Sequence, residues 1–334
     1  MKCVVCDQDV NRQDREAGGT QPSCPHCGHP FVTEPADDHL TDKQILNAIK
    51  HVSQGDALYY LRAHIHYEIE RILNRKRRLR KIWSSLFLVA STAGLIITLV
   101  NDLTVGMVIS FVVMAVSLFV LTTGLKHART VNQLLDKWFE VNPDHKLIVP
   151  GGGQKPEPTT EEARLGSVSF DHVLICDRNE YVDFFLANLF HFHFSCPVLG
   201  YANYPDDVFA DMLARLKQNP RLKVLVVHDF TPYGLQLLKQ VRDDSKWFGD
   251  MDVEIVDIGL GPRHRSLMRN QLKNLDEISD KRTGTEPKEI WAELTVLRPR
   301  FLLTSCANSL QSAEPIPERT GQPASDNYFY FGVG

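Results

Sequence analysis

KVLVVHDFTPYG, Lys223–Gly234, decides how the second half of the chain folds. Val224–Val227 is an unbroken apolar run rich in β-branched residues and closed by turn formers, which reads as a buried strand. It ends on His228-Asp229, and the chain then breaks at Thr231-Pro232-Tyr233-Gly234. Ordinary loop chemistry explains the break with Thr231 as N-cap and Pro232 as the first helical residue. The other reading makes Asp229 a metal-ligating acid at the carboxyl end of a parallel strand. The two are compatible.

The flanking sequence supplies the rest of a sheet. Val173–Cys176 (VLIC), Cys196–Gly200 (CPVLG) and Val253–Ile258 (VEIVDI) read as strands, and Tyr181–Phe192, Asp206–Gln218 and Tyr233–Val241 have helical spacing. Strands alternating with helices imply a parallel sheet. Its ligands belong beyond the carboxyl ends of the strands, where Asp177 and Asp229 fall.

Four motifs in this order resemble the Toprim fold of topoisomerases, primases and some nucleases. The nearest likeness is to the A subunit of type IIB topoisomerases and the related meiotic break-forming proteins. Asp177 stands where the family's first strand ends in an acid. Asn203-Tyr204-Pro205-Asp206 matches its Gly-Tyr-Pro-Asp turn, Asp229–Gly234 its Asp-x-Asp-Pro-Tyr-Gly, and Gly259-Leu260 its last Gly-Leu turn. The likeness covers Val173–Pro262. It implies that Asp177 and Asp229 hold magnesium, assisted by Glu180 or Asp206, for phosphodiester or nucleotide chemistry or for nucleic-acid sensing. Mg²⁺ takes hard oxygen ligands and often uses one or two carboxylates. The chain departs from the family in three ways. The first acid is the shorter Asp177, Thr231 replaces the second acid of Asp-x-Asp, and Leu125–Val173 leaves no room for the domain that carries the DNA-cleaving tyrosine. No topoisomerase reaction is therefore assigned, and whether the chain is an enzyme stays open. Arg263 and Arg265, in the basic turn after the fourth strand, either meet phosphate or face solvent.

At the other end, Cys3-x-x-Cys6 and Cys24-x-x-Cys27 form two knuckles, with Gly28 suited to a positive φ. Four thiolates complete a tetrahedral shell that zinc favours, with no position open for water, so the site is structural. It resembles short zinc ribbons. His26 and His29 are neighbours of the shell. Cys176, Cys196 and Cys306 are scattered and read as buried thiols.

Between the two ends the 334 residues, of net charge −4, are unevenly greasy. Ile82–Val100 and Leu103–Leu125 carry no charge, and each meets the roughly 20 residues a bilayer core needs. Basic residues flank the pair at Arg71–Lys81 and Lys126–Arg129, with none in the turn between. By the positive-inside rule both termini are cytoplasmic, and the basic flank meets anionic lipid. Thr41 is the N-cap of a preceding amphipathic stalk, with a break at Gly55-Asp56.

The expected chain is multi-domain: a zinc ribbon (1–35), a helical stalk (40–81), a two-helix transmembrane hairpin (82–125), a helix and flexible linker (126–166), a mainly parallel Toprim-like α/β domain (167–311) and a mobile tail (312–334). The expected place is a bacterial-type inner membrane, multi-pass. Two functions fit: a membrane-anchored protein with magnesium-dependent phosphodiester or nucleotide chemistry, or a non-catalytic membrane scaffold that binds protein partners through the ribbon and a degenerate α/β domain.

Overall fold

The computed structural model describes residues 2–11, 22–33, 40–100, 104–122, 128–149, 170–264, 268, 273–274 and 290–312. Nearly all of the expected linker and tail, and Arg265, lie outside them. The chain divides into two compact units, Met1–Ile45 with Glu68–Pro143, and Leu46–Tyr67 with Asp144–Gly334.

Four helices account for much of the first half: α1 (Asp42–Val52), α2 (Arg62–Val100), α3 (Thr104–Thr122) and α4 (Ala128–Val141). Thr41 and Gln44 form a reciprocal capping box at the start of α1. The Gln44 N–H donates to Thr41 Oγ1 at 3.4 Å, and the Thr41 N–H donates to Gln44 Oε1 at 3.2 Å. Asp42, fully buried, accepts from the Val32 and Thr33 N–H groups at 3.0 and 2.8 Å. In α4, Val131, Leu135 and Trp138 are buried at i, i+4 and i+7, the apolar stripe that orders a short helix.

The transmembrane hairpin is overturned. Helices do form over Ile82–Val100 and most of Leu103–Leu125, but among the described residues no helix is long and apolar enough to cross a membrane. Membrane anchoring and the multi-pass inner-membrane location lose their basis with it, as does the topology derived from the charged flanks. Small residues lie between α2 and α3: a Cβ at Gly94 would sit 3.2 Å from Ser110 Oγ, and Ser91 and Ser117 are buried. Trp83, Phe87, Ile96 and Phe111 are exposed.

The second unit is the α/β domain. The break at Gly55-Asp56 is real, with positive φ at Gln54, Gly55 and Asp56. The next helix does not follow the break directly, however. β1 (Tyr60–Leu61) intervenes and pairs in parallel with β2 (Leu147–Ile148). The Leu61 N–H then donates to His64 Nδ1 at 3.0 Å, so the buried His64 satisfies a helix-start donor. β3 (His172–Cys176), α5 (Asn179–Ala187), α6 (Phe190–His193), β4 (Val198–Gly200), α7 (Phe209–Leu216), β5 (Lys223–Val227), α8 (Pro232–Asp243) and β6 (Glu254–Asp257) follow. α9 (Pro299–Ser312) closes the described chain. One expected helix, Tyr181–Phe192, is split at Leu189, where φ is 55°.

All strands of the main sheet are parallel, in the order β4-β3-β5-β6. Strand alternation sends side chains to two cores. Leu174, Cys176, Leu225 and Val227 face one with Phe184 and Phe185 of α5 and Leu302, Leu303 and Cys306 of α9. Val173, Ile175, Val224 and Val226 face the other with Phe209 and Leu213 of α7, Leu237 of α8 and Trp247. Helices on both faces make a doubly wound layer structure. The chain runs from β3 out to β4, then returns to β5 on the other side of β3. That reversal opens the crevice between the carboxyl ends of β3 and β5, where ligands of such sheets bind.

Candidate metal centre and the switch-point carboxylates

The two cysteine knuckles are built alike. The Asp7 N–H donates to the Cys3 carbonyl at 3.1 Å, and the Gly28 N–H to the Cys24 carbonyl at 2.8 Å. Asp7 (φ 54°) and Gly28 (φ 73°) take the same left-handed position after the second cysteine of each pair. The arrangement brings the Sγ atoms of Cys3, Cys6, Cys24 and Cys27 within 4.8 Å of one another, where they could hold a metal ion. Cys3 Sγ lies 3.6 Å from Cys27 Sγ, and Cys6 Sγ 3.6 Å from Cys24 Sγ. Each close pair joins one knuckle to the other. His26 is exposed and outside this cluster.

At the crevice, Asp177 follows β3 and Asp229 stands two residues beyond β5. The Asp229 N–H donates to Asp177 Oδ2 at 2.9 Å, tying the two strand ends together. Asp177 Oδ1 is buried without a hydrogen-bond partner among the described residues. Asp229, 1% exposed, is hydrogen-bonded through Oδ1 only; its Oδ2 faces the Arg178 guanidinium in an ion pair without hydrogen-bond geometry. Its Oδ1 accepts from Tyr181 Oη and from the Leu294 N–H, each at 2.6 Å, and its Oδ2 lies 2.8 Å from the Arg178 guanidinium. The same guanidinium holds Glu180 Oε1 at 3.0 Å. Asp206 is exposed in the loop before α7. Thr231 Oγ1 accepts from the Gly234 N–H at 3.0 Å and caps α8, with Pro232 at its start. Arg263 reaches back to the Asp257 carbonyl at 3.4 Å.

His228 lies beneath this pair, 1% exposed. Its Nδ1 is 2.7 Å from the Asp229 carbonyl oxygen and its Nε2 3.0 Å from Asp257 Oδ1. Both partners are acceptors, so the ring satisfies both only as the imidazolium. Burial opposes that charge, but Asp257 outweighs it, and the His228 pKa is raised. The Gly259 N–H also donates to Asp257 Oδ1, at 2.9 Å. Burial pushes Asp257 up, but His228 draws it below the usual carboxylate range.

Burial pushes Asp177 up, against the Asp229 N–H. Burial and the Asp177 charge push Asp229 up to about 7, against Arg178 and Tyr181. The two carboxyls titrate as a pair. Asp177 Oδ1 and Asp229 Oδ2 both lack a hydrogen-bond partner among the described residues, so the extra proton belongs to the pair, and removing the Asp177 charge removes the repulsion that helps hold it. The folded chain thus keeps a proton that the unfolded chain releases near pH 4. Stability from this source is present below that pH, falls as pH rises toward about 7, and is level above. Asp177→Asn is expected to remove a slope of about 1.4 kcal/mol per pH unit from the urea stability profile between pH 5 and 6.5. An unchanged slope would place the proton elsewhere. His228 contributes in a separate window, losing stability above its ordinary pKa as pH climbs through its raised one.

The structure thus brings Asp177, Asp229 and Glu180 to one crevice through a residue that sequence reasoning passed over, Arg178. It also adds Tyr181, His228, Asp257 and the Leu294 N–H. Asp257 had a local sign, since it ends its strand as the other two acids nearly end theirs. The Leu294 contact spans 65 residues and had none. No family model, curated protein or solved structure significantly matches the chain.

Proposed function

We propose that this chain is a zinc-bearing, non-catalytic binding protein whose α/β unit is a Toprim-like domain with a neutralised acidic crevice. Zinc suits the cysteine cluster. A tetrahedron with metal–sulfur bonds of about 2.3 Å has edges of about 3.8 Å; two of the sulfur pairs lie at 3.6 Å, and all four atoms lie within 4.8 Å of one another. Four sulfur ligands leave no open position, so the metal folds the knuckles rather than activating water. Held this way, the knuckles present the exposed Val5 among Lys2, Asp7 and Asp9, a mixed surface better suited to a protein partner than to phosphate.

The observation that carries the non-catalytic reading is the ion pair between Asp229 and Arg178. Tyr181 and the Leu294 N–H hold its Oδ1 and the Arg178 guanidinium lies 2.8 Å from its Oδ2, so the acid that would anchor magnesium already has its counter-charge. The free Asp177 Oδ1 favours a second reading, in which one Mg²⁺ sits beside it and serves phosphodiester or nucleotide chemistry. Mn²⁺ titration of the zinc-loaded chain, followed by EPR, separates the two. The expected result is one zinc per chain and no saturable Mn²⁺ site at millimolar concentration. Saturable Mn²⁺ binding that disappears in Asp229→Ala would defeat the non-catalytic reading and restore the metal-dependent one.

A further inference from the structure

We infer that Arg178 is a resident cation that occupies the crevice in place of a divalent metal, and that its charge keeps the crevice from binding one. The inference rests on the non-catalytic reading above and names the residue responsible for it.

Arg178 leads into α5 in extended conformation (φ −127°, ψ 142°), directly after Asp177. That backbone carries its guanidinium across the crevice to Asp229 Oδ2, while its other terminal nitrogen takes Glu180. A guanidinium is planar, always charged and weakly hydrated, and so suits a half-buried ion pair better than an ammonium does. The group is 39% exposed against 1% for Asp229, so it closes the crevice from the solvent side as a plug would. Asp229 raises the Arg178 pKa despite burial, and Glu293 and Glu180 add to the effect.

Removing the plug leaves the buried Asp229 without its counter-charge, next to Asp177, whose Oδ1 is already unpartnered. Oxygen ligands of this kind, completed by water, suit Mg²⁺ or Mn²⁺. A buried carboxylate stripped of its counter-charge also demands a new one. The arginine therefore does electrostatically what a bound ion would do, but as a fixed part of the chain that neither exchanges nor activates water.

The test is Mn²⁺ EPR on four zinc-loaded full-length proteins: wild type, Arg178→Ala, Arg178→Lys and Arg178→Ala/Asp229→Asn. Arg178→Ala should gain a saturable site with a dissociation constant at least about tenfold below any wild-type value. Arg178→Lys keeps the charge and should gain none, and the double variant should lose what the single one gained. A folded Arg178→Ala chain that binds no more tightly than wild type overturns the inference and leaves the non-catalytic reading standing. Asp229-dependent binding in wild type overturns that reading itself. If Arg178→Ala does not fold in the absence of metal, millimolar Mn²⁺ should restore its melting transition, and failure to do so also overturns the inference. Arg178→Gln, which keeps much of the side-chain volume without the charge, repeats the comparison.

Discussion

Gly234→Ala is expected to destabilise the α/β unit by about 3 kcal/mol, read as a lower urea midpoint at unchanged slope. Gly234 lies in the first turn of α8, where its N–H donates to the Thr231 cap. A Cβ there would run into the Asp229 carbonyl oxygen and approach His228 Nδ1 to 3.1 Å. The carbonyl is backbone, and it already bonds the His228 ring, so it cannot yield without losing that contact. The glycine is required by close approach, not by a left-handed φ. Gly261→Ala is the control, because a Cβ at Gly261 meets nothing within 4 Å. It should fall within about 0.5 kcal/mol of wild type. Equal effects at the two positions would refute the packing account.

Loss of the metal should have the larger consequence. If the cysteine cluster holds zinc as proposed, Cys24→Ser is expected to reduce bound zinc from one per chain to none, and to turn the knuckles from protease-resistant to readily cleaved. The apolar cluster around the knuckles holds Cys3, Val10, Cys24 and Phe31, with Cys6 packed against it, too small a core to fold a segment unaided. Structural zinc supplies on the order of 10 kcal/mol to such sites. Chelation of the wild-type chain should reproduce the variant's cleavage pattern, and readdition of zinc should reverse it in wild type alone. A Cys24→Ser chain that keeps one tightly bound zinc and its protease resistance would remove the four-sulfur site from consideration.

What could be read in the sequence was what neighbouring residues decide. Lys223–Val227 is a strand because four apolar residues run between turn formers, and Thr231-Pro232 starts a helix because a cap and an imino acid adjoin. The cysteine quartet was legible for the same reason: two tight knuckles fix their own geometry, and only their meeting is non-local. β1 was not legible. Tyr60-Leu61 has no strand length of its own and exists through its pairing with Leu147-Ile148, more than eighty residues on. Arg178 was passed over because its neighbours in sequence suggest a solvent-facing helix start, and its partner Asp229 is brought to it by the β3–β5 register. The error over Ile82–Val100 and Leu103–Leu125 came from composition. An uncharged stretch satisfies the bilayer rule on paper, but among the described residues no helix has the required apolar length.

His228 has one further consequence, for how the sequence can drift. A Cβ at Gly259 would collide with the imidazole, which Asp257 and the Asp229 carbonyl hold in place. Alanine at 259 therefore becomes acceptable once residue 228 is small, and a ring at 228 becomes acceptable once residue 259 has no side chain. The two positions, thirty-one apart in the chain, are sterically coupled, and divergence should proceed through paired replacements rather than single ones.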